Sequence, residues 1–346
     1  MEENRIMADL LLASSPHIAS PDDSRRLMGH MLIALTPVTV FGVLSFGLSA
    51  LLNILVSLAA AELAEFLFRK ITRQDIRNGD LSAAITGLLL ALIIPPGTPL
   101  WITALGSVFA IIVAKEFFGG LGANVFNPAL TGRAFLIMSF PAAMTTWNRP
   151  TGSGGFLADA VTGATPLGIL KVGETVADVG RSFAETGLAA SPDYWPVIKT
   201  MFIGYHGGST GETSALLILA GCFYLLITKT IDWRAPAAMI AATVLGSLVL
   251  GMDPLIGVLG GGVLFGAVFM ATDYVSGPIT ALGKLIFGCG AGLITVLIRK
   301  FGNYPEGVTY GILIMNAAAP FLNKLIQKKY GFVPKKKPVA AQGGAK

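Results

Sequence analysis

Apolar stretches long enough to cross a bilayer recur from residue 30 to residue 323, and no other feature narrows the possible folds so sharply. Inside hydrocarbon every backbone N–H and C=O must be paired within the chain, and a long apolar run does this only as a helix. The expected fold class is therefore all-α, a polytopic membrane protein. Composition agrees, with 13% charged residues where an ordinary soluble domain carries about 25%. Much of the formal net charge of +5 sits at one end, because residues 324 to 346 hold seven Lys and no acid. Such a tail after a last span reads as a cytoplasmic segment facing lipid, not as an arm for nucleic acid. Cys222 and Cys289 each lie in an apolar run and are expected to be buried free thiols. Glu2, Glu3 and Asp9 precede any long apolar run, unlike a cleaved signal peptide.

Hydropathy and charge together predict ten spans in two groups of five. They lie near 28 to 47, 50 to 68, 81 to 95, 100 to 118 and 127 to 143, then 211 to 228, 235 to 251, 255 to 272, 279 to 298 and 307 to 323. The predicted domains are a cytoplasmic segment 1 to 27, a first five-helix unit 28 to 143, a long loop 144 to 210, a second unit 211 to 323, and the basic tail 324 to 346. Arg69, Lys70, Arg73 and Arg77 in one loop, Lys229 and Arg234 in another, and the lysine tail all fall on one side, so both termini are expected in the cytoplasm. Arg299 and Lys300 fall on the other side, the single exception. The same counting puts the long loop outside the cytoplasm. Its Trp147, Phe156, Phe183, Tyr194 and Trp195 predict partial packing against the membrane surface.

An offset of 177 residues aligns Ile102-Thr-Ala-Leu-Gly106 with Ile279-Thr-Ala-Leu-Gly283, Pro128 with Pro305, and Leu136-Ile-Met138 with Leu313-Ile-Met315. A duplicated unit with an odd number of spans is inverted, and interrupted segments at matching places in the halves then point to a central site. Here the third span stops at Pro95-Pro96 and the eighth carries Gly260-Gly-Gly262. Glu62, Glu65, Lys115, Glu116, Arg133 and Asp273 are the ionisable groups near bilayer depth and should face protein, a partner or water. Asn124-Val-Phe-Asn127-Pro-Ala-Leu-Thr-Gly-Arg133 groups two amides, a helix-starting proline and an arginine, a set suited to polar or anionic ligands. Asn-Pro-Ala also occurs in the half-helices of water channels, but only one copy is present and its counterpart is Tyr304-Pro-Glu306, so a water channel is rejected.

The chain lacks a Walker loop and a metal-spaced His/Cys cluster, and it has three His in all. Chemistry must come from something it carries. In the long loop, Asp159-Ala-Val-Thr162-Gly163-Ala164-Thr165-Pro166 places two small residues before a hydroxyl, and Pro166 biases Thr165 towards an extended backbone. Taken alone, this is an ordinary turn with an accessible hydroxyl.

The stretch Asp159-x-x-Thr162-Gly-Ala-Thr165 resembles the flavinylation motif of the D subunit of the Rnf complex and of its homologue, the B subunit of the sodium-pumping NADH:quinone oxidoreductase. Ser15-Pro-His17, the run Asn127 to Leu136, the ten predicted spans and the loop after the fifth span extend the resemblance over residues 8 to 330. Fewer than thirty residues precede the first span, which favours the Rnf subunit over the quinone-linked one with its longer extension. The resemblance implies a urea-transporter-like fold of two inverted repeats in a bacterial or archaeal cytoplasmic membrane. It implies an electron carrier between ferredoxin and NAD, coupled to Na⁺ or H⁺ translocation, with FMN joined through a phosphoester to Thr165. Asp159, Thr162, Gly163 and Ala164 are then positions read by a flavin transferase, and other Rnf subunits are partners. Some relatives also hold riboflavin, for which Asn124, Asn127 and Arg133 are the candidate contacts. Arg149, Lys171 and Arg181 are candidates to meet the phosphate's charge. The alternatives are a urea-transporter-like solute channel without flavin and a purely structural scaffold.

Overall fold

The computed structural model describes residues 23–75, 78–150, 162–184, 193–302, 304 and 306–326. These residues are mostly helical, and among them the only β pairing is an isolated antiparallel bridge between Asn148 and Thr162. Among the described residues four helices are long and apolar enough to cross a bilayer: Ser24–Phe46 (α1), Leu48–Ile71 (α2), the segment Leu100–Phe118, whose regular part is α4 (Leu100–Ile112), and Ala281–Phe301 (α14). Shorter apolar helices are Ser82–Ile93 (α3), Ala215–Ile227 (α10) and Arg234–Val249 (α11). The chain is a polytopic membrane protein.

Local chemistry sets the breaks. α1 ends at Gly47, whose φ of 72° is left-handed, and α2 begins directly after it. α3 is buried on nearly every side, as an all-round apolar helix must be, and stops before Pro95-Pro96. Asn127 caps α5 (Pro128–Ser139) by accepting from Leu130 N, with Pro128 at the first helical position where its missing N–H costs nothing. Pro141 then starts a separate short helix, α6 (Pro141–Thr145), so the predicted span 127 to 143 is two pieces.

The predicted single span 255 to 272 is likewise broken. It consists of α12 (Pro254–Leu259), a turn at Gly260–Gly262 with φ of 60° at Gly261 and 70° at Gly262, α13 (Val263–Phe265), and a π-helical turn over Gly266–Met270. Carbonyls freed by such a break need donors, and Arg299 supplies them from α14: it donates to the carbonyls of Gly257, Gly260 and Gly261. The apparently misplaced cation of the sequence thus has a structural task.

α2 packs on α3 and α4, and α4 on α5; α11 packs on α14, and α14 on the last helix, α15 (Val308–Ile326). The halves meet where α1 packs on α10 and α5 on α15. One large apolar core runs through both halves. The long loop adds α7 (Pro166–Lys171), α8 (Val176–Ala184) and α9 (Tyr194–Ile203). Ile169, Val179, Phe183, Val197 and Met201 from these three helices bury themselves against Ile256 of α12, a satellite core that docks the loop on the bundle. Of the loop aromatics expected at the membrane surface, Trp147 and Phe183 are buried within the protein, Trp195 is 71% exposed and Phe156 lies outside the described residues. Both cysteines are free, but Cys289 is exposed on the outer face of α14, because the helix turns its glycines and not its thiol inward.

Candidate functional site

Thr165 is the N-cap of α7. Its backbone is extended (φ −78°, ψ 154°) and its Oγ1 accepts from Gly168 N at 3.1 Å, while Pro166 occupies the first helical position. The side chain is half-buried, and the hydroxyl proton is not used by that bond. The segment leading into it is pinned. Thr162 bridges to Asn148, Gly163 N donates to Trp147 O at 2.9 Å, and Asn148 Oδ1 accepts from Gly97 N at 2.9 Å. Thr162 and Ala164 are exposed and Gly163 half-buried; Asp159 lies outside the described residues. The need for glycine at 163 is steric: a Cβ there would overlap the Arg149 side chain, with Cδ at 2.8 Å.

Beside Thr165 opens a cavity of about 280 Å³ walled by Met144, Trp147, Ala164, Tyr304 and Tyr310. That volume is near the lower end for a small-molecule site, and the aromatic walls suit a flat ring system. The far wall is held by Lys171 of α7, whose ammonium donates to Gly302 O at 2.5 Å and Tyr304 O at 2.8 Å. Burial pushes the Lys171 ammonium below its ordinary value. Arg181, the second candidate for a phosphate, is paired with Asp178 at 2.6 Å on the exposed side of α8. Arg149 is thus the loop cation nearest the threonine segment, through its contact with Gly163.

The three residues expected together around a second ligand are divided by the fold. Asn124 and Asn127 line a cavity of about 70 Å³ with Ser82, Lys115 and Asp273. Asn124 Nδ2 donates to Phe126 O at 3.1 Å and Asn127 caps α5, so both amides already serve the backbone. Room for a handful of waters is present there; a tricyclic ring is several times larger and does not fit the cavity as it stands. Arg133, one and a half turns along α5, points elsewhere, to Glu306, to Glu212 at 3.6 Å and to Thr309 Oγ1 at 3.3 Å.

That second group was not singled out from the sequence. Glu306 lines the Thr165 cavity and pairs with Arg133, and Glu212 accepts from Ser209 Oγ at 2.9 Å. The only available signal was an acid at the edge of the sixth and tenth predicted spans. Glu65, Arg69, Lys115 and Glu116, read singly from the sequence, form one buried network: Lys115 to Glu65 at 2.9 Å, Arg69 to Glu65 at 3.2 Å and Arg69 to Glu116 at 3.1 Å. Among the described residues no group of three or more His, Cys, Asp or Glu is arranged to hold a metal ion.

Comparison with known proteins matches residues 11–331 to the NQR2, RnfD, RnfE family. The chain is 42% identical over 340 residues to the D subunit of the proton-translocating ferredoxin:NAD(+) oxidoreductase complex of Clostridium ljungdahlii, covering 96% of this chain and 99% of that one. It is 39% identical over 336 residues to the Na(+)-translocating counterpart of Acetobacterium woodii, with the same coverage. It is 34% identical to the D subunit of the ion-translocating oxidoreductase complex of Escherichia coli, covering 90% of this chain and 95% of that one.

Proposed function

Because the chain belongs to the NQR2, RnfD, RnfE family, we propose that it is the membrane electron-carrier subunit of an ion-translocating ferredoxin:NAD⁺ oxidoreductase complex, bearing FMN as a phosphoester on Thr165. The observation that carries this reading is the position of Thr165: a partly open hydroxyl on the rim of a ligand-sized aromatic cavity. Bound FMN supplies the one- and two-electron chemistry that the chain's own residues lack.

The protein's part is placement. The bridge at Thr162 and the bond from Gly163 hold the tether, Trp147, Tyr304 and Tyr310 offer a dry wall for the ring, and Lys171 keeps that wall closed. A tether also keeps the flavin at high effective concentration beside partner redox subunits. Thr162 and Ala164, both exposed, are accessible to a flavin transferase. Non-covalent riboflavin at Asn124 and Asn127 is left out, since about 70 Å³ does not accept it.

The same reading includes ten spans in two inverted five-helix units, both termini cytoplasmic and Thr165 on the opposite side. In support, α2 on α4 and α4 on α5 recur as α11 on α14 and α14 on α15 near the offset found in the sequence, and counting ten spans assigns the basic loops and tail to one side. The test is in-gel fluorescence after SDS denaturation of chain expressed with a flavin transferase. Wild type and Thr162→Ala should give a fluorescent band and Thr165→Ala none; a dark wild-type band refutes the carrier.

A further inference from the structure

Next to Thr165 lies a second, much smaller cavity of about 20 Å³, enclosed by Thr165, His206, Glu212, Gly260, Gly261 and Glu306. That is the space of about one water. His206 is 3% exposed, and its Nδ1 lies 3.0 Å from the Gly207 carbonyl. A carbonyl only accepts, so in the neutral ring Nδ1 carries the hydrogen and Nε2 is a bare lone pair. Nε2 has no hydrogen-bond partner in the protein. A buried acceptor left dry costs about 1–3 kcal/mol, whereas one water in this cavity satisfies it.

The charged surroundings are specific. Glu212 and Glu306 converge on Arg133 of α5, and Arg299 of α14 gives Nε to the Glu306 carbonyl at 3.4 Å while its other nitrogens serve the broken helix. From α8 the Phe183 ring reaches His206, at 6.5 Å between centroids. Burial pushes the imidazole below its ordinary value, opposed by the carbonyls of Gly207 and Thr213, so the resting ring is neutral and able to accept a proton. Two carboxylates sharing one arginine can hold a proton as a pair, and one of them, Glu306, also faces the larger cavity where the flavin ring would lie.

We propose that His206, one water and the Glu212–Glu306 pair form a proton-exchange site serving the flavin carried at Thr165. The inference rests on the FMN reading above. FMN bound at Thr165 would take up one proton with the two electrons that a reduced carrier of the partner subunits gives it. The Glu212–Glu306 pair would supply that proton from the Glu306 side, a carboxyl O–H bond breaking as it leaves. The neutral His206 would take a proton from solvent at Nε2 and pass it through the water to refill the pair, returning to the neutral ring, so one solvent proton is consumed for each two electrons.

The test has two arms on the full chain. In the flavin-free arm, Thr165→Ala protein is titrated by infrared spectroscopy of the protonated carboxyl stretch. Glu306→Gln should remove a band, and His206→Gln should move its pH midpoint by about one unit; a midpoint unmoved by His206→Gln overturns the site whatever the flavin content. In the loaded arm, the flavin potential is followed against pH, and Glu306→Gln and His206→Gln should flatten the slope, because the one proton taken up with the two electrons is the one this site supplies. Equal slopes overturn the site. Absence of flavin from loaded wild type instead removes the carrier reading, while the infrared arm still judges the proton site. Glu306→Gln keeps a hydrogen-bond acceptor for Arg133 and His206→Gln keeps a polar side chain, and thermal melts of both confirm folding; where His206→Gln melts early, His206→Asn replaces it.

Discussion

Removing Lys115 should expose how far the buried charge network holds the bundle together. Lys115 is 2% exposed, with Nζ at 2.9 Å from Glu65 Oε2 and 2.6 Å from Ser82 Oγ. With Arg69 bridging Glu65 and Glu116 at 3.2 and 3.1 Å, two cations balance two anions. Lys115→Met fills similar space but leaves three charges for the four and Glu65 Oε2 without a donor. Breaking a buried pair from one side costs about 3–5 kcal/mol. At roughly 2 °C per kcal/mol, the value for larger chains, the melting point in detergent should fall by about 6–10 °C. Glu65→Gln alone should also destabilise, because Lys115 loses its counter-charge. Combined with Lys115→Met it restores neutrality around the surviving Arg69–Glu116 pair, so the double variant should be more stable than the sum of the single losses by about 2 kcal/mol. A single-variant shift within about 2 °C of wild type, or strictly additive losses, would show that the four groups do not act as one network.

Other consequences can be measured alongside. Arg299→Lys keeps the charge but cannot reach the carbonyls of Gly257, Gly260 and Gly261 together, so it should lower stability by about 3 kcal/mol and speed amide exchange over residues 254–266; unchanged exchange there would refute the role. Gly292→Leu should separate α11 from α14, since even a Cβ at Gly292 would lie 2.5 Å from Met239 O, and a thermal melt at or above wild type would contradict the close approach. Asp178 accepts from Thr175 N at 2.9 Å and Thr175 Oγ1 at 2.7 Å, bonds that, with Arg181, hold its carboxyl below its ordinary value. Its support for α8 is therefore complete above the unfolded value and fades as pH falls through the lower folded one. Amide exchange over 176–184 should quicken below about pH 4, and Asp178→Asn should abolish that dependence.

Legibility followed the range of the interactions. Gly47, Pro95-Pro96, Asn127-Pro128 and Thr165-Pro166 each act within a few residues, and helix ends fall at them as propensity and capping require. Gly260–Gly262 was visible as an interruption, but its division of one span into α12, α13 and a π turn was not, because the break survives only where Arg299, 38 to 42 residues away, meets its carbonyls. Arg133 sits on the predicted helix, yet its direction could not be read beside Asn127, since its partner Glu306 lies 173 residues along the chain.

By itself the sequence determined that this chain spans a membrane as helices, because hydrocarbon leaves backbone polar groups no other partner, and it marked Thr165 as a hydroxyl between small residues and a proline. Tertiary structure alone decided that this hydroxyl borders an aromatic cavity, that His206, Glu212 and Glu306 close a smaller one behind it, and that Asn124 and Arg133 serve different places. Those arrangements depend on packing one half of the chain against the other. Local sequence chooses where each helix starts and stops, but it does not choose which distant face each helix meets.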